Sequence, residues 1–152
     1  MITNKIVSKI AIMVMGEGEN VSYEEKVLIA LVAMNRYIAT EMKLLKFNPL
    51  EKDFFGYRRQ LKITNKLERK ALQDSIEASI EAREIINHKE SIIQLFGEFS
   101  WKYIYFFNKG KIKPSTKYKV EKCNLNIKTE HNFYKIADDE MVEILRNHLL
   151  HN

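Results

Sequence analysis

Apolar positions recur at helical spacing from the start of the chain. Ile6, Ile10, Met13 and Val14 predict a first helix over residues 3–15, stopping at Gly16-Glu17-Gly18-Glu19-Asn20. A second helix is predicted over residues 22–40. Val27, Leu31, Met34 and Ile38 line one face, Leu28 and Val32 broaden it, and Ala30 and Ala33 permit close approach of a neighbour. Apolar almost all round, it reads as the buried central helix. Ser22 followed by Glu25 has the spacing of a capping box at its start. Residues 41–63 are irregular, with Asn48-Pro49 as a breaker and an aromatic turn at Asp53-Phe54-Phe55-Gly56-Tyr57. Asn65 and Glu68 open a third helix. Its inner face reads as Leu67, Ala71, Ala78, Ala82 and Ile85, widened by Leu72 and Ile76.

The period then changes. Tyr103-Ile104-Tyr105-Phe106-Phe107 is a β-prone run, and Tyr118-Lys119-Val120 and Asn132–Ile136 predict two more strands. Gly110 and Pro114 suit a hairpin with a long connection between the first two. Asp138-Asp139-Glu140 begins a closing helix with Val142, Leu145 and Leu149 inward. Helices first, a small antiparallel sheet in the C-terminal half and a closing helix make a mostly helical α+β order within one domain over residues 1–152.

Composition narrows the classes. Apolar residues are 45% and charged residues 30%, the balance of a globular domain with a core. The net charge of +5 favours polyanionic partners: nucleic acid, anionic membrane or bacterial wall. The single cysteine, Cys123, excludes an internal disulfide, and His88, His131, His148 and His151 lack metal-binding spacing. Neither a metal nor another cofactor is expected. Lys9 interrupts the apolar run from Ile6 to Met15, so no signal peptide is expected. No apolar run reaches the roughly 18 residues of a membrane span.

The chemistry concentrates in Met15-Gly16-Glu17-Gly18-Glu19-Asn20-Val21-Ser22-Tyr23 and the helix that ends in Asn35-Arg36. Glycines allow a tight turn and close approach of a ligand, and apolar helix faces around Glu17 would desolvate it, which suits a general acid. Taken alone, Gly-Glu-Gly-Glu reads more simply as solvated loop carboxylates. Further along stand Tyr105-Phe106-Phe107-Asn108 and His131-Asn132-Phe133-Tyr134.

In this order the three segments resemble the cell wall hydrolase family typified by spore cortex-lytic enzymes. The resemblance covers about residues 6–136. It rests on a Glu, a short Gly-containing turn with a Tyr, an apolar helix ending in Asn-Arg, an aromatic run ending in Asn, and a His-x-Phe element. The chain departs from the pattern at Asn20-Val21, where the family has Gly-Glu, at Lys102-Tyr103, where it has small residues, and at Lys109, where it has Pro. The resemblance implies a lysozyme-like lobe that cleaves the glycan strand of peptidoglycan. Glu17 would be the catalytic acid, with Glu19, Tyr23, Tyr105, Phe106, Asn108 and His131 against the substrate; for His131 a structural role, satisfying backbone groups before its strand, is equally open. Hydrolysis normally needs two carboxylates. Because only Glu17 is placed with its role, the single-acid route of a lytic transglycosylase is expected, with a muramidase-like hydrolase next. Asp53 is a possible second carboxylate. A monomer is expected, delivered as a bacteriophage endolysin or virion-associated lysin, or exported by a separate route.

Two other classes stay open. Lys109, Lys111, Lys113, Lys117, Lys119 and Lys122 fall in one stretch with Trp101 and Tyr105 nearby, which would suit a nucleic-acid-binding module. The modest charge and the lack of a known nucleic-acid motif count against it. A degenerate family member that binds wall without cutting it is the other. Phe54, Phe55 and Tyr57 read first as core and second as a sugar-stacking platform, and Arg36 as a structural ion pair or helix-end contact.

Overall fold

The computed structural model describes residues 2–41, 65–88, 94–100, 103–108, 119–140, 143, 144 and 147, with residues 94 and 104–108 by backbone alone. Helix α1 spans Asn4–Gly18, α2 Tyr23–Glu41 and α3 Lys66–Asn87. Five short strands follow: β1 Gln94–Leu95, β2 Glu98–Phe99, β3 Tyr103–Asn108, β4 Val120–Lys122 and β5 His131–Ile136. Residues 139–140, 143–144 and 147 of the closing segment are helical. The α+β order is therefore as the pattern predicts. The aromatic turn at 53–57, the lysines from 109 to 117, and Val142, Leu145 and Leu149 lie outside the described residues.

Helix α2 is the centre of the core. Every residue from Glu25 to Asn35 is buried, and α1, α3 and β3 all pack against it. Its start is capped by the Ser22 hydroxyl, which accepts from the Glu25 backbone N–H at 3.2 Å. Only that half of the capping box forms, because the Glu25 carboxylate is engaged elsewhere. Asn35, near the other end, is 4% exposed and donates from Nδ2 to the carbonyls of Ser100 (2.8 Å) and Tyr103 (2.5 Å). One amide thus ties the central helix to the entry of the sheet.

Helix α1 runs three residues further than its pattern predicts, through Gly16-Glu17-Gly18. The reason is packing. A Cβ at Gly18 would come within 2.9 Å of both Ile29 Cδ1 and Val21 Cγ2, so the glycine serves the close crossing of α1 and α2. Glu19, the C-cap, also keeps right-handed helical angles.

The inner face of α3 needs a correction. Ser75, Ala78, Ser79, Ala82 and Ile86 are buried, whereas Leu67 is 82% and Ile76 42% exposed. The buried serines satisfy themselves inside the helix: Ser75 Oγ donates to Ala71 O and Ser79 Oγ to Ser75 O, both at 2.8 Å. Small side chains with an internal partner let α3 lie close to α1 and α2. Asn65 caps α3, its side-chain oxygen accepting from the Glu68 N–H at 2.9 Å. At the far end Arg83 donates to Asn4 Oδ1 at 2.6 Å, tying α3 to the start of α1.

The sheet order is β3-β5-β4, both pairings antiparallel. The expected β3–β4 hairpin is therefore not formed: β5 lies between them. Its burial explains this, since His131, Phe133, Tyr134 and Ile136 are all buried and suit the middle position. A hairpin that the apolar pattern does not predict pairs β1 with β2. Phe96 and Gly97 form its turn with φ of 55° and 105°, the left-handed pair that matches strand twist. The Phe96 carbonyl accepts from Asn126 N at 3.1 Å, and a Cβ on Gly97 would lie 2.8 Å from the Asn124 carbonyl. Tyr103 Oη donates to Leu95 O at 2.8 Å, and Lys135 Nζ meets Glu98 Oε2 at 2.5 Å, which docks this hairpin on the larger sheet.

Candidate functional site

The turn between α1 and α2 carries three of the sequence-predicted site residues. Glu17 lies in the last turn of α1, half-buried, and Glu19 follows as the C-cap. Glu17 is thus held on a helix rather than in a free loop, which fixes its backbone. Tyr23 begins α2, and its hydroxyl donates to Glu81 Oε2 of α3 at 2.5 Å. Burial and this bond push the Tyr23 phenol well above its ordinary range, with Glu77 and Asp74 adding in the same direction. Lys26, one turn on, is 2% exposed, with Nζ 3.4 Å from the Ala71 carbonyl. Burial lowers its pKa, partly offset by Asp74 and Glu19. The corner beside Glu17 is therefore stiffened by bonds across to α3.

The other predicted residues gather at one end of the sheet. Asn108 and His131 are cross-strand partners at the junction of β3 and β5. Tyr105 and Phe106 pair with Tyr134 and Phe133, further along the same ladder. His131 is turned inward: its side chain is only 2% exposed.

The contact that joins corner and sheet is made by Glu25, which the sequence assigns to a capping box with Ser22. Glu25, in the first turn of α2, is 1% exposed. Its Oε1 accepts from the Glu130 N–H at 2.7 Å, and its Oε2 accepts from the His131 N–H at 3.1 Å. Oε2 also lies 2.5 Å from His131 Nδ1. A carboxylate that already accepts from the backbone makes Nδ1 the protonated nitrogen. The Phe133 ring lies edge-on to the imidazole, with centroids 6.4 Å apart. Nothing within four residues of Glu25 signals this; the cue is an acid on an otherwise apolar helix face.

Among the described residues no cluster of three His, Cys, Asp or Glu side chains is arranged to hold a metal ion, and no helix is long and apolar enough to cross a membrane. Comparisons with family models, with curated proteins and with solved structures each gave no match.

The titration of this region gives a measurable expectation. The phenols of Tyr23 and Tyr103 are both pushed well up, Tyr103 mainly by burial, and Tyr37 is raised in the same direction. The hydrogen bond to Glu98 raises Lys135. A group whose folded pKa exceeds its unfolded value stabilises the fold fully below the unfolded pKa, and that contribution fades as pH rises through the folded one. Stability should therefore fall above about pH 10; Lys26, lowered by burial, opposes this only in part. Ultraviolet titration of the seven tyrosines should show the Tyr23 and Tyr103 phenolates appearing together with the loss of helical ellipticity. Smooth ionisation of all seven with ellipticity intact would contradict it.

Proposed function

We propose that this chain cleaves the glycan strand of peptidoglycan, as a lytic transglycosylase or a muramidase-like hydrolase, with Glu17 as the general acid and base. The observation that carries this reading is convergence. The Glu25–His131 bond, spanning 106 positions in sequence, ties the helix that follows the Glu17 corner to the Asn108–His131 end of the sheet. One contact thus joins two of the segments that resemble the cell wall hydrolases, the start of α2 and the His-x-Phe strand. The helices-then-sheet order is also the order a lysozyme-like lobe would take.

In the single-acid route Glu17 protonates the bridging glycosidic oxygen as the anomeric C–O bond breaks. The carboxylate so formed then takes the proton of the muramic acid 6-hydroxyl, whose oxygen closes on the anomeric carbon. The product is a 1,6-anhydro end, and the acid is regenerated without water as nucleophile. The route needs one carboxylate in the right place, whereas hydrolysis normally needs a pair. Digestion of purified peptidoglycan with the full chain, followed by mass spectrometry, should release anhydro-muropeptides. Reducing ends would favour the hydrolase and a second carboxylate; intact glycan from every wall tested would overturn the reading. The bacterial wall is then the partner, and the basic balance suits its anionic polymers.

A further inference from the structure

We infer that Glu25 is a positioning residue for this cleavage, an inference that rests on the proposed reading: its carboxylate locks the start of β5 to the first turn of α2 and so holds the two halves of the site in register. Side-chain hydrogen bonds among the described residues, four in number, help fix the short segment Thr129–His131. Three end on Glu25, and the fourth runs from Thr129 Oγ1 to the His131 carbonyl at 2.8 Å. Both partners are 2% exposed in their side chains, so little water competes for these bonds.

A plain structural contact does not call for this chemistry. A buried acid and a histidine lose hydration that an apolar pair of the same volume would not, and such pairs are often no more stable than apolar replacements. They do fix direction. One carboxylate gripping two backbone N–H groups and a ring nitrogen sets the strand's position and the ring's plane together. The Nδ1–H bond to the carboxylate also sets which ring nitrogen faces α2. Glu25 also leaves the local task open to an N3 glutamate, the reach back to the Ser22 N–H, so its carboxylate is directed to the sheet.

The test compares wild type, Glu17→Gln, Glu25→Ala, Glu25→Gln, His131→Ala and the Glu25/His131 double variant on purified peptidoglycan, with folding followed by circular dichroism. Folded Glu25→Ala should lose on the order of 10²-fold in kcat, the scale of a small misplacement of reacting groups, with KM within about threefold. Glu25→Gln, which keeps one acceptor oxygen, should recover part of that loss. The double variant should be no worse than the poorer single one, because the two residues act as a unit. Nitrogen chemical shifts of the imidazole should show an Nδ1-protonated ring in wild type and a loss of that fixed tautomer in Glu25→Ala. Cleavage by folded Glu25→Ala at the wild-type rate, with Glu17→Gln inactive, would overturn the positioning role and leave the cleavage reading standing. An Nε2-protonated ring in wild type would overturn it too, as would failure of both Glu25 variants to fold, since the pair would then be an element of the fold alone. Absence of cleavage by a wild type whose imidazole spectrum shows the pair intact would remove the cleavage reading, and this role with it.

Discussion

Glu17→Gln is expected to lower glycan cleavage by about 10³-fold, within the range general acid–base catalysis contributes, while leaving the chain folded. The substitution keeps the size and most of the hydrogen-bonding capacity of the side chain and removes the proton that the leaving oxygen needs. Glu17 lies half-buried at the end of α1. The melting temperature should therefore move by no more than about 2–3 °C, the scale of a substitution outside the core. Loss in kcat with KM little changed would mark Glu17 as acting at the transition state. Retention of most of the activity would shift the acid to another group, with Glu19, the next carboxylate at the corner, examined first by the same substitution.

Much of the helical frame is legible in the chain because it depends on local chemistry. The apolar run from Val27 to Met34 reads as a buried helix once Ile38 extends its face and Ser22 caps its start, and Asn65 with Glu68 marks a helix start by a bond that forms within one turn. Where legibility fails, the deciding contact is distant. Ser75 and Ser79 look like surface residues, yet they bury because each finds a carbonyl one turn back and leaves room for α1 and α2. Gly16 and Gly18 look like a loop, yet the helix continues, and the space that Gly18 leaves is filled by Ile29 and Val21. Strand order is invisible in period-two patterns; β5 takes the centre, between β3 and β4. The candidate site divides the same way. Glu17, Asn108 and His131 stand out by motif, whereas Glu25 does not, because its partner lies 106 residues away.

The largest expected loss of stability comes from Asn35, the residue that fastens the central helix to the sheet. Its Nδ2 donates to Ser100 O and Tyr103 O at 2.8 and 2.5 Å, and Asn35, Ser100 and Tyr103 are 4%, 2% and 0% exposed. Asn35→Ala removes both donors and takes a hydrogen bond from each of two carbonyls where water has little access. Each buried polar group left unsatisfied costs about 1–3 kcal/mol, so a loss of about 2–4 kcal/mol is expected, since local relaxation around the lost side chain will lessen the sum. For a chain of this size that lowers the melting temperature by on the order of 10 °C. Asn35→Leu should do no better: it restores volume but supplies no donor to the same two carbonyls. Asn35→Asp should be the worst of the three, because a carboxylate at Nδ2 would face two carbonyl oxygens and would have to be buried protonated. Equal stability of all three variants with wild type, measured by urea unfolding, would mean that α2 is held to the sheet by apolar packing alone. The expected ranking would place the anchor of the Asn108–His131 strand pair on one amide, so that damage at the far end of α2 reaches the site through β3.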